Sequence, residues 1–168
     1  LDGGAQRYDE EMKSITESSH IAIVARDYAE KYTGTTNLEE ACRIIHDRGA
    51  IIAGVTDGAN GSYFVWPDGT FYRCQAFPQE YVVDTTGAGD SFHGAFLSKL
   101  VTLLRELAPV EGLKTSTYAI DLLQHCGHSD LEKAAIFASA VAALNTQGIG
   151  GRSALPSLQV VHKLMGLE

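Results

Sequence analysis

Two short apolar runs, His20–Val24 (HIAIV) and Ala50–Thr56 (AIIAGVT), flank two helical patterns, and that alternation constrains the fold more than any other feature of the chain. Runs of this length suit buried strands. Between them, RDYAEKYTG reads as a helix that stops at Gly34. TNLEEACRIIHDRG reads as a second helix. Asn37 is its N-cap, Glu40 stands three residues later as in a capping box, and Gly49 is the stop. Apolar residues at 38, 41, 44 and 45 line one face of that helix. Further on, GSYFVW and TFYRCQAF are joined by Pro67–Asp68–Gly69, a hairpin signal. Strands alternating with helices predict a three-layer α/β sheet with a small appended hairpin.

The remaining segments fit around that frame. Arg7–Ser18 reads as a polar surface helix and EYVVD (80–84) as an extended run. Gly87 to about Glu106 reads as a long helix. Asp130–Leu144 is an apolar helix buried on most sides, and Ser157–Leu167 is a final one. Residues 107–128, with Pro109 and Gly112, read as an insertion holding a short helix around Thr117–His125. At 168 residues the chain suffices for one domain. It opens LDGG, without methionine, which reads as the end of a strand and suggests a piece of a longer protein.

Charge and cysteines narrow the function classes. A formal net charge of −8 disfavours duplex nucleic acid as a partner. A small phosphorylated ligand is compatible with it, because backbone dipoles hold phosphate without a basic surface. The three cysteines, Cys42, Cys74 and Cys126, are too scattered for a disulfide framework or a zinc site. They read as buried or half-buried thiols in a reducing cytosol. No signal peptide or membrane-length apolar run is apparent. A cytoplasmic location without membrane contact is the expectation.

The chemistry concentrates in Asp84–Phe92, DTTGAGDSF. Gly87, Ala88 and Gly89 leave backbone N–H groups uncovered at the start of a helix, where the dipole is positive. The result is a nest for an anion. Converging donors stabilise the charge that spreads over a phosphoryl group in transfer. Asp90 ends the nest and is placed to take a proton from an attacking hydroxyl. A second glycine turn, DGANG, follows the Ala50–Thr56 strand. In an open α/β sheet, ligands bind at the carboxyl ends of strands, where such turns lie.

The longer string, D-T-T-G-A-G-D-S-F-H-G-A-F-L (84–97), resembles the second signature of the ribokinase-like (PfkB) carbohydrate kinases, including the small pair Gly94–Ala95 that lets the helix pack closely. The resemblance implies a Rossmann-like three-layer fold, ATP as phosphoryl donor, an anion hole at Gly87–Gly89 and Asp90 as catalytic base. VTDGANGSY is similar to the family's T-x-G-x-x-G turn, which contacts ATP phosphate and ribose. Thr56, Gly58 and Gly61 occupy its positions. ASAVAALNTQGIGGRSALP resembles the wall of the adenine pocket, with Ser139 at a polar position near the base. QAFPQEYVVDTTGAGDSFHGAF is most similar to the ketohexokinase, fructokinase and sulfofructose kinase branches.

The resemblance also implies metals. A monovalent cation, potassium, would be held by Asp84 and Thr86 and by main-chain oxygens of Asn145, Gly148 and Gly150. Ala154 stands where a small polar residue is common. The family's N-x-x-E motif, which helps organise Mg2+, is replaced by Ala25-Arg26-Asp27-Tyr28. Asp27 stands one position early, a rotation of about 100° on a helix. His93 and Arg152 read as packing or solvated residues that could approach the site.

These features predict ATP-dependent phosphoryl transfer to a hydroxyl of a small sugar. Substrate-binding and lid residues of the family fall mostly in its N-terminal half, outside this chain, and members often dimerise through that lid. The alternatives are a non-catalytic nucleotide-binding pseudokinase or regulatory module, or a nucleoside kinase.

Overall fold

The computed structural model describes residues 2–3, 8–107 and 116–167. Five strands form one sheet in the order β1 (Asp2–Gly3), β2 (Ile21–Ala25), β3 (Ile52–Thr56), β4 (Ser62–Val65) and β5 (Phe71–Cys74). The first three run parallel, with Ala25 opposite Thr56 at their carboxyl ends. The hairpin β4–β5 joins antiparallel along β3, so it is the edge of the main sheet.

Helices cover both faces, and the strands' alternation divides the core accordingly. Ala22, Val24, Ala53, Val55 and Val65 point to one side. There they meet α1 (Glu10–Glu17), α2 (Arg26–Thr33) and α3 (Leu38–Asp47). Ile23, Ile52, Phe64 and Trp66 point to the other, against α4 (Ala88–Leu107), α6 (His128–Asn145) and α7 (Leu158–Leu164). Phe64 centres this layer. Its ring lies 4.7 Å from that of Trp66 and 5.5 Å from that of Phe96 on α4. Helix α6 presents Ala134, Ala135 and Ala138 fully buried, small side chains that let α4 lie close. The short α5 (Ser116–Gln124) precedes it. Within the insertion, residues 108–115 lie outside the described residues.

Local chemistry sets the helix ends. Helix α1 begins at Glu10 because the Asp9 carboxylate accepts the Met12 N–H at 2.8 Å. Asn37 caps α3 as expected, accepting the N–H groups of Glu39 and Glu40 at 3.1 and 3.2 Å. The reciprocal half of a capping box does not form. Glu40 instead accepts the Thr35 hydroxyl at 2.7 Å, and that hydroxyl takes the Asn37 N–H at 3.2 Å. The buried stripe of α3 is Leu38, Ala41, Cys42 and Ile45, with Ile44 only half-buried. Replacing Asn37 with Ala should cost about 1 kcal/mol, read from urea denaturation, because two terminal N–H groups lose their acceptor.

The run EYVVD is extended but pairs with no strand. Tyr81, Val82 and Val83 are exposed, and the Val83 N–H reaches the Thr146 carbonyl at 2.8 Å instead. No described helix is long and apolar enough to cross a membrane.

Candidate active site

The site is built at the carboxyl edge of the parallel strands. Beyond Thr56 the chain makes a tight turn, with one turn of 3-10 helix at Gly58–Asn60. The Thr56 hydroxyl lies 3.5 Å from the Val24 carbonyl, a long contact that leaves it available to a ligand. Gly61 has φ +97°, and a Cβ there would lie 2.1 Å from the Cys74 carbonyl oxygen. Glycine is therefore required for the turn to cross the end of β5, whatever else it contacts.

The Asp84–Asp90 segment forms the second wall. Asp84 accepts the Thr86 N–H at 2.9 Å through one carboxylate oxygen and the Gly150 N–H at 2.8 Å through the other. It thereby ties the 84–90 loop to the 146–151 loop. Gly87 has φ +76°, and a Cβ on it would lie 2.5 Å from the Gly151 Cα. The two backbones touch there, and no side chain fits between them. Ala88 gives its N–H to the Thr85 carbonyl at 3.1 Å. Within the 84–90 segment the uncommitted N–H groups are those of Thr85, Gly87, Gly89 and Asp90, the last three at the start of α4. A Cβ on Gly89 would have no neighbour within 4 Å, so that side of the helix start is open. Asp90 lies in the first turn of α4, exposed, and makes no hydrogen bond or ion pair with the described residues.

The two backbone N–H groups hold the Asp84 carboxyl below its ordinary pKa, Thr86 contributing most. A folded-state pKa lowered from about 3.9 contributes stability that is complete above that value and lost as pH falls through the folded pKa. Asp84→Asn should therefore lower the melting temperature at pH 7. The gap from wild type should narrow in scans below about pH 4.

Beside this wall lies an open groove of about 540 Å³, lined by Tyr72–Pro78 and Ile136. Ser139, one turn beyond Ile136 on α6, does not line it. Its hydroxyl donates to the Gln75 carbonyl at 3.1 Å and so fixes the groove's edge. At the end of α6 the fully buried Asn145 donates from Nδ2 to the Gly151 carbonyl at 3.3 Å. Its Oδ1 has no hydrogen-bond partner. The 148–154 loop closes on itself. Ser153 donates to the Ile149 carbonyl, and a Cβ at Gly148 would lie 2.8 Å from that of Ala154. Gly150 turns its N–H to Asp84, while Thr86 contributes its own N–H to the same carboxylate.

Other sequence candidates lie apart from this chemistry. Tyr28, where the resemblance places a magnesium-organising glutamate, is buried, with its hydroxyl 2.6 Å from that of Thr16. Asp27 is exposed and makes no ion pair or hydrogen bond among the described residues. With Ala25 lacking a donor, these three side chains do not fit the N-x-x-E role. Gly94 has open space where a Cβ would stand, so close helix packing does not explain it. His93 is a brace: its ring nitrogens lie 3.1 Å from the Gly89 carbonyl and 2.8 Å from the Ile23 carbonyl. Arg152 is exposed in its loop. The cysteines are free and buried, as expected. Burial pushes the Cys42 thiol up to about 12 and those of Cys74 and Cys126 up to about 11, so none is a thiolate at neutral pH.

What the sequence reading missed is an ion pair. Arg26, the first residue of α2, donates from Nη1 to Asp57 at 3.2 Å and from Nε to Glu30 at 2.7 Å. Its signal was a cation at a helix start, where the dipole disfavours one.

Comparison with known proteins gives the family. Residues 3–158 match the pfkB family carbohydrate kinase description. The chain belongs to that family. It is 40% identical over 89 residues to the cytidine kinase of Thermococcus kodakarensis, covering 52% of this chain and 31% of that protein. It is 33% identical over 96 residues to mouse (Mus musculus) ketohexokinase, covering 54% and 31%. The fold matches the Vibrio cholerae O395 fructokinase solved with fructose, ADP and potassium ion. The TM-score is 0.69 at 22% identity, over 94% of this chain and 43% of that one. The chain thus spans about a third of the length of these curated relatives.

Proposed function

We propose that this chain is the nucleotide-binding and catalytic portion of an ATP-dependent kinase whose acceptor is a hydroxyl of a small sugar. The observation that carries the reading is the nest of uncommitted N–H groups at Gly87, Gly89 and Asp90. The Gly89 side of it is open, and the Asp90 carboxylate beside it makes no bond with the described residues. No described residue accepts from these N–H groups, which leaves them to a bound anion. ATP, when bound, supplies the phosphoryl group. The N–H groups face the charge that develops on it, and Asp90 accepts the proton of the attacking hydroxyl. Thr56 and the Gly58–Gly61 turn receive phosphate and ribose, and the groove beside Ser139 receives the base.

The Asp84 carboxylate, the buried Asn145 Oδ1, which has no partner among the described residues, and the carbonyls of the 145–150 loop are oxygen donors of the kind potassium would take. The cation's charge would sit beside the nest and add to its field. Isothermal titration of the chain with MgATP, with potassium or with choline in its place, tests the reading. One-site binding that is several-fold tighter in potassium is expected. A folded sample that binds no nucleotide in either salt would overturn it.

A nucleoside acceptor is the second reading, favoured by the 40% identity to a cytidine kinase. ADP release with cytidine but not with fructose or ribose as acceptor would select it.

A further inference from the structure

Arg26 breaks a local rule. It opens α2, where the helix dipole favours an anion, and Ala25 before it provides no side-chain cap. A cation placed there against local preference calls for a compensating contact elsewhere. The sheet register supplies it. Ala25 and Thr56 are paired at the carboxyl ends of β2 and β3, so Arg26 and Asp57 leave the sheet side by side.

Asp57 is the hub of the turn that follows. Its Oδ2 accepts from Arg26 Nη1 at 3.2 Å and from Asn60 Nδ2 at 3.0 Å. Its N–H reaches the Gly61 carbonyl at 2.8 Å, and its carbonyl accepts the Asn60 N–H at 2.9 Å. Asp57 therefore ties the turn together, through its backbone to Asn60 and Gly61 and through its carboxylate to the Asn60 amide, and Arg26 holds that carboxylate. Glu30, at 2.7 Å from Nε, orients the guanidinium from the next turn of α2. The Asp57 side chain is only 15% exposed, so this pair is less screened than a surface one. Both arginine contacts are directional, which a lysine ammonium reproduces poorly.

We propose that Arg26 is a positioning residue that, through Asp57, holds the Thr56–Gly61 turn in the shape that receives a nucleotide. The guanidinium spends Nε and Nη1 on the two carboxylates, and its role is to hold the turn. This rests on the nucleotide reading above, and the experiment separates the two.

ADP is titrated calorimetrically into wild type, Arg26→Gln, Arg26→Lys, Asp57→Asn and the double variant Arg26→Gln/Asp57→Asn, with melting curves for each. Arg26→Gln and Asp57→Asn should each weaken ADP binding by about 5- to 10-fold, and the double variant should lose no more than either alone. Arg26→Lys should recover part of the loss. Unchanged affinity in a folded Arg26→Gln protein overturns the proposal, as do additive losses in the double variant. If Arg26→Gln does not fold, the comparison of Asp57→Asn with Arg26→Lys decides. Loss in both supports the coupling, and wild-type affinity in either overturns it. Absence of ADP binding by folded wild type would instead overturn the nucleotide reading.

Discussion

Replacing Asp90 with Asn is expected to lower turnover by about three orders of magnitude while leaving nucleotide affinity within about twofold of wild type. The side chain is exposed and makes no bond with the described residues, so the substitution removes no contact seen among them. Asn is isosteric and keeps the backbone N–H of the nest. It cannot accept a proton from a hydroxyl, and that difference alone is tested. The measurements are ADP release with fructose, ribose and cytidine as acceptors, and calorimetric titration with ATP. An unchanged rate would leave the nest as a binding feature and favour a non-catalytic role. A fall in affinity as large as the fall in rate would mean that the carboxylate shapes the ground state rather than the reaction.

The parts of this fold legible in the sequence were those written locally. HIAIV and AIIAGVT announce strands because short apolar runs between helix stops have few other places to go. The uncovered N–H groups of Gly87 and Gly89 were legible because glycines at a helix start leave them exposed, whereas that of Ala88, read as uncovered too, is spent on the Thr85 carbonyl. Tertiary competition erased other signals. Glu40 has the spacing of a capping box, but Thr35 stands nearer and takes its carboxylate. EYVVD has strand composition, yet the chain gives it no strand partner, and Val83 bonds the 146 carbonyl instead. Ser139 was placed near the base by resemblance alone, and its hydroxyl bond to the Gln75 carbonyl, 64 residues away, had no local signal. The Arg26–Asp57 pair spans 31 residues, a separation at which only the sheet register reveals the partner.

The two glycines of the nest should respond to alanine in opposite ways. At Gly87 an added Cβ meets the Gly151 backbone at 2.5 Å to its Cα and 2.6 Å to its carbonyl oxygen, and φ is +76°. The left-handed conformation alone costs an L-residue roughly 1–2 kcal/mol. The two loops must also separate, which strains the Asp84–Gly150 hydrogen bond that joins them. Gly87→Ala should therefore lower the melting temperature and reduce turnover by about 100-fold, since displacements near 1 Å carry that cost. Gly89 is the second residue of α4, and nothing lies within 4 Å of where its Cβ would be. Alanine is a better helix former by about 1 kcal/mol in helix interiors, so Gly89→Ala should leave the melting temperature unchanged or raise it. Its methyl group would enter the open space assigned to the transferred group, and turnover should fall by a similar factor. Melting curves and ADP-release rates for the two variants separate the roles. A stable, fully active Gly89→Ala protein would show that the reacting group does not occupy that space. A stable but slow one would place it there, with the glycine retained at the expense of helix stability.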